Sequence, residues 1–152
     1  MPATHNEPLL VVEDSAADFR MLKRLMRKMD VQSPIYRCQT GDEVLELMYK
    51  TGRYSDSNES PDRPGIIMLD LNLPGTDGRS VLAKLKQDEQ FMSIPIIVFT
   101  CSSAPDDIEF CYQHGANGYM VKPIGNQDLT KMLRAFVDYW LEANTSPFFL
   151  FA

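Results

Sequence analysis

The chain has 152 residues, room for one ordinary domain and too little for two comfortable ones. Hydrophobic residues make up 44% and charged residues 24%, a globular balance, and 21 acids against 15 bases leave a net charge of −6 that disfavours nucleic-acid and anionic-lipid partners. No apolar run approaches the roughly 18 residues of a membrane span, and the opening MPATHNEP lacks the basic-then-apolar order of a secretory signal.

The predicted elements alternate along the chain. Leu9–Val12 is a short apolar run ending in Glu13, Asp14 and Ser15, after which Phe19, Leu22, Leu25, Met26 and Met29 recur at helical spacing. Ile35–Cys38 reads as a second strand, and Glu43–Tyr49 as a helix carrying Val44, Leu45, Leu47 and Met48. The segment 52–65 is polar, with two prolines, and is expected to be a solvated loop. Ile66–Leu71 is the next apolar run, followed by a helical segment with Val81, Leu82 and Leu85. Ile96–Thr100 is rich in β-branched residues and precedes a helix near Asp106–His114. Tyr119–Val121 is a short strand ending at Lys122-Pro123. Leu129, Met132, Leu133, Phe136, Val137, Trp140 and Leu141 then give the cleanest helical pattern in the chain.

Five strand–helix units in a row predict an α/β fold: a doubly wound, five-stranded parallel sheet with helices on both faces. The expected core runs from about residue 8 to 143 of a single domain over 1–152, leaving an apolar tail, 144–152, that contains Phe148, Phe149, Leu150 and Phe151. Such sheets bind ligands beyond the carboxyl ends of their strands, so the strand ends are where chemistry belongs.

Those ends carry Glu13 and Asp14, then Asp70, then Thr100, then Lys122. Carboxylates gathered at one edge raise one another's pKa unless a cation joins them, and hard oxygen ligands suit Mg²⁺. Lys122 adds a compact positive charge for a phosphoryl group and Thr100 a neutral donor. A carboxylate beside Mg²⁺ and a lysine is equipped to attack phosphorus and become an aspartyl phosphate. Plainer readings stand beside these. Asp14 can cap the first helix, Lys122 alone is an ordinary surface lysine, and Tyr119 is by default a half-buried strand aromatic. Cys38, Cys101 and Cys111 lack metal-ligand spacing and read as reduced thiols of a cytoplasmic protein; His5 and His114 are assigned no role.

The stretches LLVVEDS, IIMLDLNLPGTDG, IIVFTCSS and GANGYMVKP, in this order, resemble the receiver domain of two-component response regulators, over roughly Leu9 to Trp140. The resemblance implies the flavodoxin-like receiver fold and a set of roles. Asp70 would accept a phosphoryl group from a sensor histidine kinase. Asp14 and Asp70 would ligate Mg²⁺ with the main-chain carbonyl of Asn72, and Glu13 would act mostly through water. Thr100 and Lys122 would hold the phosphoryl oxygens, and Tyr119 with Thr100 would form the switch. It also implies a cis Lys122–Pro123 bond, and Gly78 is expected to supply the positive φ of the turn after Asp70.

The long loop before strand three and the stretch Asp138–Glu142 are similar to single-domain regulators associated with cyanobacterial phytochromes. That narrower likeness implies a phytochrome as the kinase, an unidentified downstream protein, and a homodimer. Apolar burial favours building that dimer around the last helix and the tail. The expected activity is not that of an enzyme: self-phosphorylation and self-dephosphorylation only, with output by protein contact. Two alternatives are an unphosphorylated adaptor and an aspartyl-phosphate phosphohydrolase; the latter wants an acid two residues past its nucleophile, where Asn72 stands.

Overall fold

The computed structural model describes residues 7–56 and 63–150, the last two of these by backbone alone. Strands β1 (Leu9–Val12), β2 (Ile35–Cys38), β3 (Ile66–Leu69), β4 (Ile96–Thr100) and β5 (Gly118–Val121) alternate with helices α1 (Ala16–Lys28), α2 (Gly41–Tyr49), α3 (Gly78–Gln87), α4 (Pro105–Gln113) and α5 (Asn126–Phe136). The strands form one parallel sheet in the order β2-β1-β3-β4-β5, as the five-unit pattern predicts.

β1, β3 and β4 are buried along their whole length, which is why they appear in the sequence as unbroken apolar runs rather than as alternating ones. Successive side chains go to opposite faces. Leu9, Val11, Ile66 and Met68 pack with Leu22 and Met26 of α1 and Leu133 and Phe136 of α5. Leu10, Val12, Ile67 and Leu69 pack with Val44 and Leu47 of α2 and with Val81 and Leu85 of α3. The sheet is thus sandwiched, and its connections run outward in opposite directions from the β1–β3 junction, where a crevice opens.

Local chemistry sets the helix starts. Ser15 caps α1 by accepting from the amide of Asp18 at 3.2 Å, Thr40 caps α2 through Glu43 at 3.0 Å, and Asp77 caps α3 through Arg79 at 2.8 Å. Asp14 is therefore not the cap of α1. At the far end, the single helix expected through Leu141 changes its winding. After Phe136 it continues as a π-helical stretch, Val137–Ala143, closed by a bond from the amide of Asn144 to the carbonyl of Tyr139. Val137 and Leu141 stay buried through the change, so the apolar periodicity remains visible in the sequence although the turn does not. Side chains 149–150 and residues 151–152 lie outside the described residues, and so does the tail's part in a dimer.

Two expected backbone features differ. The positive φ in the turn after Asp70 belongs to Gly75, at +73°. Gly78 is needed for space instead: its amide donates to the carbonyl of Leu71 at 3.0 Å, and a Cβ there would lie 2.7 Å from Leu71 Cα and run into the carbonyl of Asp70. The Lys122–Pro123 bond is trans, as is every described peptide bond, trans being favoured by about 0.5–1 kcal/mol before proline. Among the described residues no helix is long and apolar enough to cross a membrane.

Candidate functional site

β1 and β3 run side by side with Val12 opposite Leu69, so the residues that follow them emerge together. The amide of Asp70 still donates to the carbonyl of Val12 at 3.1 Å, which holds the acid against the strand although the ladder ends at Leu69. Asp70 is 6% exposed and Glu13 4%, while Asp14 is exposed. From β2, Arg37 donates to the carbonyls of Glu13 and Asp14, each at 3.0 Å, and pins the backbone that carries both acids. The amide of Ser15 donates to Glu13 Oε2 at 3.2 Å.

Lys122 closes the cluster. Its amide donates to the carbonyl of Thr100 at 2.7 Å, continuing the β4–β5 ladder by one residue. Its Nζ donates to Glu13 Oε1 at 2.5 Å and to Asp70 Oδ2 at 3.0 Å, with Asp18 at 3.8 Å. Burial pushes the carboxyl of Glu13 above its ordinary range, against the pull of Lys122. Burial also opposes the charge on Lys122, but its hydrogen bonds to Glu13 and Asp70 outweigh that and hold its pKa above the ordinary lysine value. The ammonium is therefore a fixed charge, not a proton shuttle.

Glu13, Asp14 and Asp70 each offer a carboxylate oxygen, and these oxygens lie within 4.8 Å of one another. Three hard, acidic donors around one point fit a divalent cation of the Mg²⁺ or Mn²⁺ class. Thr100 is fully buried behind the cluster, its Oγ1 accepting weakly from the amide of Ser102 at 3.4 Å. Tyr119 is half-buried and donates its hydroxyl to the carbonyl of Ser102 at 2.8 Å. Asn72 is exposed, and its amide donates to Asp70 Oδ1 at 3.2 Å. A groove of about 310 Å³, lined in part by Glu13, Met21, Phe99, Lys122 and Ile124, opens onto the cluster from the α1 side.

The structure thus brings Glu13, Asp14, Asp70 and Lys122 together, with Asn72 bonded to Asp70 and Thr100 and Tyr119 joined through Ser102. Sequence reasoning missed Arg37, Arg79 and Asp107: Arg37 pins the backbone of both acids, and Arg79 donates to Asp107, which accepts from the Ser102 hydroxyl. A charged residue in the middle of a predicted strand was the one visible hint for Arg37; the others carry no local signal.

The model of the response regulator receiver domain matches residues 9–134. The chain belongs to that family. Response regulator Rcp1 of Synechocystis sp. is 35% identical over 139 residues, 91% of this chain and 92% of that protein. The probable methanogenesis regulatory protein FilR2 of Methanothrix harundinacea is 31% identical over 141 residues, 91% of this chain and 86% of that protein. Among solved structures, the Mn²⁺-bound form of Rcp1 superposes with a TM-score of 0.86 at 35% identity, covering 93% of this chain and 99% of that one. The phosphorylated cyanobacterial phytochrome response regulator RcpA does so with a TM-score of 0.85 at 31% identity and the same coverages. The receiver fold and the role of response regulator expected from the resemblance that the four strand ends carry are thereby established.

Proposed function

We propose that Asp70 accepts a phosphoryl group from the phosphohistidine of a sensor histidine kinase, and that residues 1–152 act as one receiver unit. The observation that carries this reading is the position of Lys122 Nζ, in contact with Asp70 Oδ2 and Glu13 Oε1 at once. In the step, the Asp70 carboxylate attacks phosphorus, a P–O bond forms as the P–N bond breaks, and the imidazole leaves. Lys122 supplies a fixed positive charge where the phosphoryl oxygens gather. The hydroxyl of Thr100, an acceptor in its bond with the Ser102 amide, offers a neutral donor. Glu13, Asp14 and Asp70, with the carbonyl of Asn72, would hold Mg²⁺, which when bound neutralises charge on the transferring group. Tyr119 and Thr100 act as the switch.

The likeness to RcpA, a cyanobacterial phytochrome response regulator, favours a phytochrome as the kinase, and hence a light-signalling role in the cytoplasm. Output is by contact with another protein and not with nucleic acid or membrane, consistent with the net charge of −6. A homodimer through α5, its π-helical extension and the tail remains part of the proposal. Half-buried Trp140 and exposed Tyr139, edge-to-face at 4.9 Å, give that surface its aromatic character. The unphosphorylated-adaptor and phosphohydrolase readings are weaker: the first leaves the buried acids and Lys122 without a purpose, and the second lacks an acid at Asn72.

The test is intact mass after incubation with Mg²⁺ and acetyl phosphate. The wild type is expected to gain one acid-stable, base-labile phosphoryl group, and Asp70→Asn none. A wild type that gains nothing and consumes no donor would leave a module that only binds.

A further inference from the structure

β1 leaves the sheet with two carbonyls past the end of its ladder. The amide of Glu13 still donates to the carbonyl of Cys38 at 3.0 Å, but the carbonyls of Glu13 and Asp14 are taken by a side chain. Arg37, inside β2, donates through Nε to Glu13 and through Nη2 to Asp14, each at 3.0 Å. Its guanidinium also lies over the ring of Phe19, in the first turn of α1, with Cζ 5.5 Å from the centroid. One planar fork thus ties the end of β1, the middle of β2 and the start of α1. Among the described residues Arg37 forms no ion pair, so its charge goes to backbone and ring and not to the acids beside it.

We infer that Arg37 is a positioning residue for the divalent cation, its fork aiming Asp14, a role that rests on Glu13, Asp14 and Asp70 being the carboxylate ligands. Of these three, Glu13 and Asp70 are buried and each is held by Lys122 Nζ. Asp14 is exposed, and among the described residues no donor holds its carboxylate. It nevertheless offers an oxygen within 4.8 Å of those of the other two. What keeps it there is its backbone, and Arg37 is the side chain that fastens that backbone.

Charge and geometry make opposite demands on this residue. A guanidinium beside a cation site repels the cation, so by charge alone the chain would bind metal more tightly without Arg37. By geometry it would bind less tightly, because a carboxylate free to turn in water must be ordered by the metal itself. Geometry is the larger effect. Water screens a half-buried charge that is spent on the main chain, whereas losing a group that orients a ligand typically costs about 10–100-fold in metal affinity. Lysine does not replace the fork, since its ammonium is a single centre with no planar face for Phe19. Arg37 acts through Asp14 and touches no reacting atom.

The experiment titrates Mn²⁺ into unphosphorylated wild type, Arg37→Met, Arg37→Lys, Asp14→Asn and the double variant Arg37→Met/Asp14→Asn, following the free ion by its electron paramagnetic resonance signal. Arg37→Met keeps an apolar stem beside Phe19 and removes both donors. It is expected to weaken Mn²⁺ binding about tenfold, and Arg37→Lys, which keeps the charge but not the fork, by less. In the Asp14→Asn background the Arg37→Met effect should vanish, because the fork acts through that one carboxylate. A second measurement follows phosphoryl uptake from acetyl phosphate across Mg²⁺ concentrations, read by intact mass. Arg37→Met should be slow at limiting Mg²⁺ and regain the wild-type rate at saturating Mg²⁺, a split that general damage to the fold would not give. Unchanged or tighter Mn²⁺ binding in Arg37→Met, an undiminished loss in the Asp14→Asn background, or a slow rate that saturating Mg²⁺ does not repair would each overturn the role. So would a wild type that binds no Mn²⁺. A wild type that binds Mn²⁺ but takes no phosphoryl group, with Arg37→Met still the weaker binder, would sink the acceptor reading and leave the role of Arg37 standing.

Discussion

Lys122 and Lys86 are both half-buried, at opposite edges of one sheet, and their surroundings push them apart. Lys122 lies at the carboxyl edge between Glu13 and Asp70, and its pKa is held up. Lys86, at the end of α3, reaches to the other edge and donates to the carbonyls of Met92 and Ile94, at 3.0 and 2.7 Å, just before β4 begins. With only neutral acceptors, burial pushes Lys86 down to about 8. Loss of water is common to both; the partner decides the sign. A lysine facing carboxylates keeps its proton through the whole physiological range and is suited to holding phosphate oxygens. One facing carbonyls fastens a loop and gives up its proton with little provocation.

The largest effect expected from this contrast is kinetic. Lys122→Ala should slow phosphoryl uptake from acetyl phosphate by about 10²–10³-fold, the usual cost of removing one preorganised charge from a transition state. Lys86→Ala should leave that rate within about twofold, since its ammonium serves only the α3–β4 turn. Initial rates by intact mass settle the matter. Equal losses in the two variants would mean that the carboxylate partners of Lys122 have no catalytic meaning.

A smaller effect separates the two through pH. Between about 8 and the ordinary lysine value of 10.5, the folded protein has released the Lys86 proton while the unfolded chain still holds it. This lysine therefore makes stability rise with pH across that window. Lys122 has the opposite sign. Its contribution is complete below 10.5 and is lost only as pH climbs through its raised folded value. Urea midpoints measured from pH 7.5 to 9.5 should show Lys86→Met gaining less with pH than wild type, and Lys122→Met following the wild-type trend from a lower start. A Lys86→Met curve parallel to wild type would remove the assignment.

These contrasts also show what was legible in the sequence. The strand ends were, because an apolar run that stops at a polar or charged group is a local signal, and Asp70, Thr100 and Lys122 each sit at such a stop. The sheet was legible for the same reason: its three inner strands are buried on both faces and so read as unbroken runs. The depressed Lys86 was not, because nothing in KLKQ distinguishes a lysine that turns toward two carbonyls from one that points to water. Arg79 and Asp107 are 28 positions apart and meet only when α3 and α4 pack, so no spacing rule finds them. Gly75 and Gly78 were confused because glycine answers two demands, a left-handed φ and a missing Cβ, and the sequence does not say which. The π-helical turn after Phe136 escaped because Val137 and Leu141, four apart, satisfy an α-helical pattern equally well.

A third cation sharpens the comparison from the other side. Arg53 has the carboxylate partners that Lys86 lacks: it donates to Glu43 Oε2 at 3.0 Å and to Glu46 Oε2 at 2.8 Å. It lacks burial, its side chain being 57% exposed against 8% for Glu43. If a charged partner alone made a cation important, Arg53→Gln would rival Lys122→Gln. Water screens the exposed guanidinium, and Glu43 keeps the hydroxyl of Tyr54, at 3.4 Å, when the arginine goes. Lys122→Gln, by contrast, leaves two buried carboxylates facing each other without a cation, at a cost of about 3–5 kcal/mol. The urea midpoint of Arg53→Gln at pH 7 should therefore match wild type within error while that of Lys122→Gln falls, and added Mg²⁺ should recover part of the second loss and none of the first. Comparable losses in the two variants would show that pairing, not burial with pairing, sets the weight of a cation in this fold.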